Sequence, residues 1–139
     1  MRDGRRILPN LVLIVEAFGA LVLASLLIAV FSFRRIAALA GQGGGDRPTA
    51  TPVLAGDLDW VLSAWVRRVP WRAVCFQQGL AAQLMLRRRG LSASLYYGAR
   101  RDDAGALVAH VWVRSGEVDV IGCADSETYG VLAVFPVRD

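Results

Sequence analysis

The chain has no lysine. All 16 of its basic residues are arginine, set against 12 acidic residues for a net charge of +4. That excludes a catalytic lysine, a Schiff base and a phosphate-loop lysine, and so modest a charge without a clustered basic face argues against nucleic acid as a partner. Histidine occurs once, as His110, and cysteine twice, as Cys75 and Cys123. Two cysteines make no disulfide framework. Three Cys and His residues together cannot supply the four ligands of a structural zinc site. No cofactor or metal follows from the residues. What remains available is thiol chemistry, for which one Cys and one His are the minimum. Charged residues are only 20% of the chain and hydrophobic ones 55%, so this is no disordered tail. At 139 residues without an internal repeat, it is the size of one domain.

Three zones differ in composition. Residues 1–40 form an apolar N-terminal helical segment between basic ends, with Arg2, Arg5 and Arg6 before it and Arg34 and Arg35 after it. Ala17 to Phe33 carries no charge, and Glu16 interrupts the apolar run near its start. A membrane span needs about 20 apolar residues, so the segment is borderline for one. A signal peptide would want a small-residue cleavage site, and Phe31-Ser32-Phe33-Arg34-Arg35 is a poor one. A helix packed on its own protein or on a partner is the third reading. Residues 41–56, GQGGGDRPTATPVLAG, read as a Gly/Pro-rich linker. Residues 57–139 read as a compact module.

Within that module, Leu58, Val61, Leu62 and Trp65 recur at helical spacing, predicting a helix over 58–68 that Pro70 closes. A second helix is predicted from Cys75 to Arg89 on Leu80, Ala81, Leu84 and Met85. Arg87, Arg88 and Arg89 suit its C-terminal dipole, and Gly90 suits its cap. Strands are predicted over 92–99, 107–114, 117–121 and 131–134, with Ser115-Gly116 as a two-residue hairpin turn. The fold class is α+β, helices followed by a small antiparallel sheet.

Cys75 falls in the first turn of a helix, where free N–H groups stabilise a thiolate and can help form an oxyanion hole; Arg72 adds positive charge. His110 falls on a strand, which holds an imidazole steady enough for a general base. A Cys at a helix start with a His on a neighbouring strand is the core of papain-like and transglutaminase-like sites. The plainer readings are an inert buried Cys75, a core His110 beside Trp112 and a structural Cys123.

The residues also carry a resemblance. Pro70-Trp71-Arg72, Cys75-Phe76, Leu80-Ala81, Leu86-Arg87-Arg88-Arg89-Gly90, Gly98-Ala99-Arg100 and Ala109-His110-Val111-Trp112-Val113 occur in an order and spacing that resembles the leader peptidases of lasso-peptide biosynthesis. These are stand-alone B-type proteins of the transglutaminase-like cysteine protease family. The likeness covers about residues 57–135. Glu16-Ala17 and Phe33-Arg34-Arg35 look like the apolar N-terminal stretch such proteins often carry, which lowers the case for a membrane span.

The resemblance implies a transglutaminase-like or papain-like core. It implies a cysteine peptidase that cuts the leader from a ribosomally made precursor peptide. Cys75 would attack and His110 would carry the proton. It also implies a leader-recognition partner of the split B pair and an asparagine-synthetase-like macrolactam synthetase acting afterwards. The expected location is cytoplasmic, with membrane association through residues 8–35 as an option. Family members commonly have an acid about twelve residues after the His to orient it; that position here is Gly122. A turn at Ser115-Gly116 would set Asp119 opposite Trp112 on the face of His110, making Asp119 the candidate, with Asp125 the other. Two further readings stand: a catalytically inactive scaffold of the same fold, and acyl transfer to an amine through the same Cys–His pair. If residues 8–35 dock partners, removing 1–40 is expected to weaken that binding and spare the Cys75 chemistry.

Overall fold

Thr51 and Pro52 start a helix inside the stretch read as linker. Pro52 suits the first helical turn because its missing N–H is an orphan there. The Thr51 hydroxyl accepts the Leu54 N–H at 3.2 Å as the N-cap. The computed structural model describes residues 7–40, 47–70 and 75–135. Its elements in chain order are α1 (Ile7–Val30), α2 (Phe33–Ala40), α3 (Pro52–Val66), α4 (Cys75–Arg88), β1 (Ser94–Arg101), β2 (Leu107–Ser115), β3 (Val118–Ile121) and β4 (Gly130–Phe135). The predicted helix over 58–68 is therefore the second half of α3. Cys75 is the first described residue of α4, residues 71–74 lying outside the described residues, and the four predicted strands agree with the structure to within two residues at every end.

α4 ends as its sequence suggests. Gly90 takes a positive φ of 71°, and Leu91 N–H returns to the Leu86 carbonyl oxygen at 3.0 Å. The four strands form one antiparallel sheet in the order β3-β2-β1-β4. β1 and β2 pair without a break from Ser94↔Arg114 to Arg101↔Leu107. β3 and β4 lie at opposite edges, so the chain between them must cross β2 and β1. That crossing carries a single 3-10 turn, Ser126–Thr128.

The helices cover one face of the sheet. Gly79 of α4 is the close approach: a Cβ there would lie 2.7 Å from Val111 Cγ1 and 3.6 Å from Val113 Cγ2. Leu80, Met85 and Leu86 of α4, Leu58 and Leu62 of α3, and Leu95 of β1 are buried together in the core. Segment 47–50, also within the presumed linker, is tied to the sheet. Ala50 N–H donates to the buried Ser115 Oγ at 2.7 Å, and Ser92 N–H to the Pro48 carbonyl oxygen at 2.8 Å.

α1 belongs to the same core. Leu13, Ala17, Leu21 and Ala24, spaced three and four apart, are all buried in it. The Trp65 indole N–H donates to the Ile14 carbonyl oxygen at 2.8 Å. Glu16, the polar break in the apolar run, binds Arg89 at 2.9 Å and Arg88 at 3.2 Å at the end of α4. Removing residues 1–40 would strip these core contacts. Such a truncation is therefore expected to destabilise the domain as well as to weaken any partner binding.

The α4–β2 contact predicts a stability result. Gly79→Ala should lower stability by about 1–3 kcal/mol, because the stiff β-branched Val111 cannot move aside cheaply. Gly79→Ala with Val111→Ala should recover part of the loss. Urea unfolding of the two variants would check it.

Candidate active site

β2 alternates, so Val111 and Val113 face α4 while His110 and Trp112 project from the opposite face. That face carries an aromatic layer. Trp112 stacks on Tyr96 with ring centroids 5.6 Å apart. His110 lies 5.9 Å from Trp112 and 5.0 Å from Tyr129. Trp112 is only 3% exposed there, with the Tyr129 ring centroid 6.1 Å away. Gly98, opposite His110 in β1, makes room: a Cβ there would meet the Trp112 ring at 2.8 Å. Arg100 closes the layer, its guanidinium 5.0 Å from the Tyr129 centroid. The crossing from β3 to β4 therefore runs over His110, with Gly122 at its start and Tyr129 at its end.

His110 Nε2 lies 2.7 Å from the carbonyl oxygen of Gly122. A carbonyl oxygen only accepts, so Nε2 carries the proton and Nδ1 of the neutral ring is left with its lone pair. Gly122 has φ +73°, and a Cβ on it would lie 2.9 Å from the Val111 carbonyl oxygen and 3.3 Å from His110 Nε2. Glycine is required by both conformation and space. The backbone of the twelfth residue after His110 thus contacts the imidazole.

Asp119 does not take that place. The hairpin turn is Gly116-Glu117, one residue later than expected, and Ser115 pairs with Val118. This moves Asp119 from Trp112 to Arg114, farther along the strand from His110. Its carboxylate accepts from Arg114 Nε at 2.9 Å and is 65% exposed. Asp125 lies in the crossing, where its backbone carbonyl oxygen accepts the Thr128 hydroxyl at 2.7 Å. Among the described residues neither acid bonds to His110.

Cys75 is half-buried in the first turn of α4, against the core. It stands one turn before Gly79, which meets Val111, the residue after His110. The two elements are thus joined at neighbouring positions, but among the described residues no hydrogen bond links Cys75 Sγ to His110. Arg72, expected to add charge beside the thiol, lies outside the described residues.

Cys123 differs. Its Sγ donates to the Val113 carbonyl oxygen at 3.3 Å, and burial, then the Asp119 carboxylate, push its pKa up to about 11. A cleft of about 690 Å³ opens beside it, lined by Asp59, Arg114, Asp119, Gly122 and Glu127 among others. Among the described residues no three His, Cys, Asp or Glu side chains gather as a metal site.

A family model described as the transglutaminase-like superfamily matches residues 18–134. The chain belongs to the transglutaminase-like superfamily. The match begins inside α1 and ends in β4, so it includes the N-terminal helix that composition set apart. No curated protein and no solved structure matches the chain. The superfamily fold, helices on one side of a small antiparallel sheet, is the α+β class read from the sequence. Residue reasoning named Cys75 and His110 but missed the Gly122 carbonyl. The available signal was a glycine at a strand end, twelve residues after the only histidine.

Two measurements follow. Nitrogen NMR of the single histidine should show the neutral Nε2–H tautomer, and Gly122→Ala should weaken that preference and cost about 1–2 kcal/mol of stability. A wild-type Nδ1–H tautomer would contradict the geometry. For the thiols, iodoacetamide near pH 8 should alkylate Cys75 well before Cys123, whose thiol stays protonated until the pH approaches about 11. Asp119→Asn removes a charge that raises the Cys123 pKa, so its alkylation profile should move to lower pH.

Proposed function

We propose that this chain is a cysteine peptidase that removes the leader from a ribosomally made precursor peptide during lasso-peptide maturation. The observation that carries the reading is the hydrogen bond from His110 Nε2 to the Gly122 carbonyl oxygen, which leaves Nδ1 as the basic nitrogen. Superfamily membership and the position of Cys75 at a helix start support it. The narrower assignment to lasso peptides rests on the sequence motifs.

In this reading the thiol of Cys75 gives its proton to His110 Nδ1 and attacks the carbonyl carbon joining leader to core. N–H groups of the first turn of α4 stabilise the oxyanion. Collapse of the tetrahedral intermediate breaks the C–N bond. The departing amine takes the proton from Nδ1, and the leader stays as a thioester on Cys75. Water, deprotonated by the same nitrogen, then releases the leader acid and restores the thiol. Cys75 and His110 are not hydrogen-bonded in the structure, and His110 projects from the sheet face opposite α4, so the reading requires a rearrangement on substrate binding that is larger than the tightening of a long apo hydrogen bond. The leader-recognition protein would present the substrate, and the macrolactam synthetase would consume the freed core.

The unbonded pair also favours a second reading, the inactive scaffold. Incubating the full chain with the precursor and the leader-recognition partner, with products read by mass spectrometry, separates the two. The peptidase reading expects a cut at the leader–core junction. It expects Cys75→Ala and His110→Ala to lose about 10³-fold or more in rate, and Asp119→Asn to change it by less than about threefold. Cleavage that survives Cys75→Ala, or no cleavage with both partners present, would sink it. Leader transferred to an added amine would instead identify an acyltransferase.

A further inference from the structure

α1 is almost wholly apolar, Asn10, Glu16 and Ser25 being its polar residues, yet its core stripe lies on one side. The inner stripe, Leu13, Ala17, Leu21 and Ala24, sits in the core. On the outer side Val12 is 70% exposed, Val15 68%, Leu26 56% and Val30 72%. These positions form a continuous line along a 24-residue helix, about 36 Å long. Glu16, the one acid of α1, is only 10% exposed and faces Arg88 and Arg89. The outer side therefore presents no charge. Where the helix ends, two exposed cations follow at once, Arg34 and Arg35, and the Arg35 guanidinium sits 5.9 Å from the Phe31 ring centroid. Trp60, 45% exposed, borders the same helix at Ile14.

We propose that the outer face of α1 lies in the plane of an anionic lipid surface while its inner face stays in the domain core. Length and composition alone would also allow α1 to cross a membrane. Crossing would expose the inner stripe to lipid, break the Trp65–Ile14 hydrogen bond and strip Glu16 of its arginines. Lying flat keeps all of these. Protein partners cover surfaces that mix apolar and polar groups; a long face with no polar side chain between Val12 and Val30 suits acyl chains better. Arg34 and Arg35 at its end, with Trp60 beside it, match the headgroup zone.

The test is co-sedimentation of the full chain with vesicles of phosphatidylglycerol and phosphatidylcholine mixed, and of phosphatidylcholine alone. Binding should be strong to the mixed vesicles and weak to the neutral ones. Val15→Glu with Leu26→Glu should lower it by roughly tenfold or more, and each of Arg34→Gln and Arg35→Gln by roughly fivefold. Slow alkylation of Cys123 in every variant shows that the domain is still folded. Alkaline carbonate should release the bound chain, since a flat helix does not hold as a span does. Three results would overturn the proposal: retention after carbonate, meaning a span; no sedimentation with either vesicle; or a dimer in solution abolished by Val15→Glu with Leu26→Glu, meaning a second copy covers the face.

Discussion

The packing of α4 on β2 at Gly79 sets everything else in this domain. With no side chain at that point, the helix settles onto Val111 and Val113. Its first turn, with Cys75, then falls next to the strand that carries His110. The same contact fixes which face of β2 is core. Alternation does the rest: with Val111 and Val113 inward, His110 and Trp112 project from the other side. The crossing from β3 to β4 is needed there to shelter them, and the order β3-β2-β1-β4 routes it across that face.

Holding the imidazole by a backbone carbonyl has a chemical consequence. A carboxylate in that position would do two things: select the tautomer, and stabilise the positive charge that appears on the ring. The Gly122 carbonyl oxygen does the first fully, since it accepts only from Nε2–H. It does the second weakly. Charges about 4 Å apart interact by about 4 kcal/mol near a protein surface, whereas a neutral hydrogen bond contributes about 1 kcal/mol. A site built this way keeps geometry and gives up part of the driving force for proton transfer.

Much of this was legible. Cys75 within α4, Gly90 as the helix cap and the four strands follow from local patterns that the structure repeats. Two things were misread for physical reasons. The Gly run at 43–45 gives residues 41–56 a linker composition, but Thr51-Pro52 within it is a capping pair that begins α3. A hairpin turn placed one residue earlier sets Asp119 opposite Trp112; in the structure its partner lies two places along β2, at Arg114, to which its carboxylate bonds. Hairpin pairing depends on single-residue differences in the turn, and composition does not resolve them. The Gly122 carbonyl was out of reach for another reason: a backbone atom has no residue type to betray it.

α1 shows the limit of reading hydropathy as location. Its apolar run passes the length test for a membrane span, yet the residues along its inner stripe answer to the domain. The decisive residue is Glu16. On an isolated spanning helix a carboxylate near one end would be an expense without return. Here it closes an ion pair with Arg88 and Arg89, the residues whose charge already suits the end of α4. One acid thus fixes the rotation of α1 about its own axis, and with it which side is buried. The same rotation leaves the outer valines and leucines more than half exposed. The exposed apolar line is therefore a consequence of how the core is closed, and any surface that covers it must accept a helix already anchored on its other side.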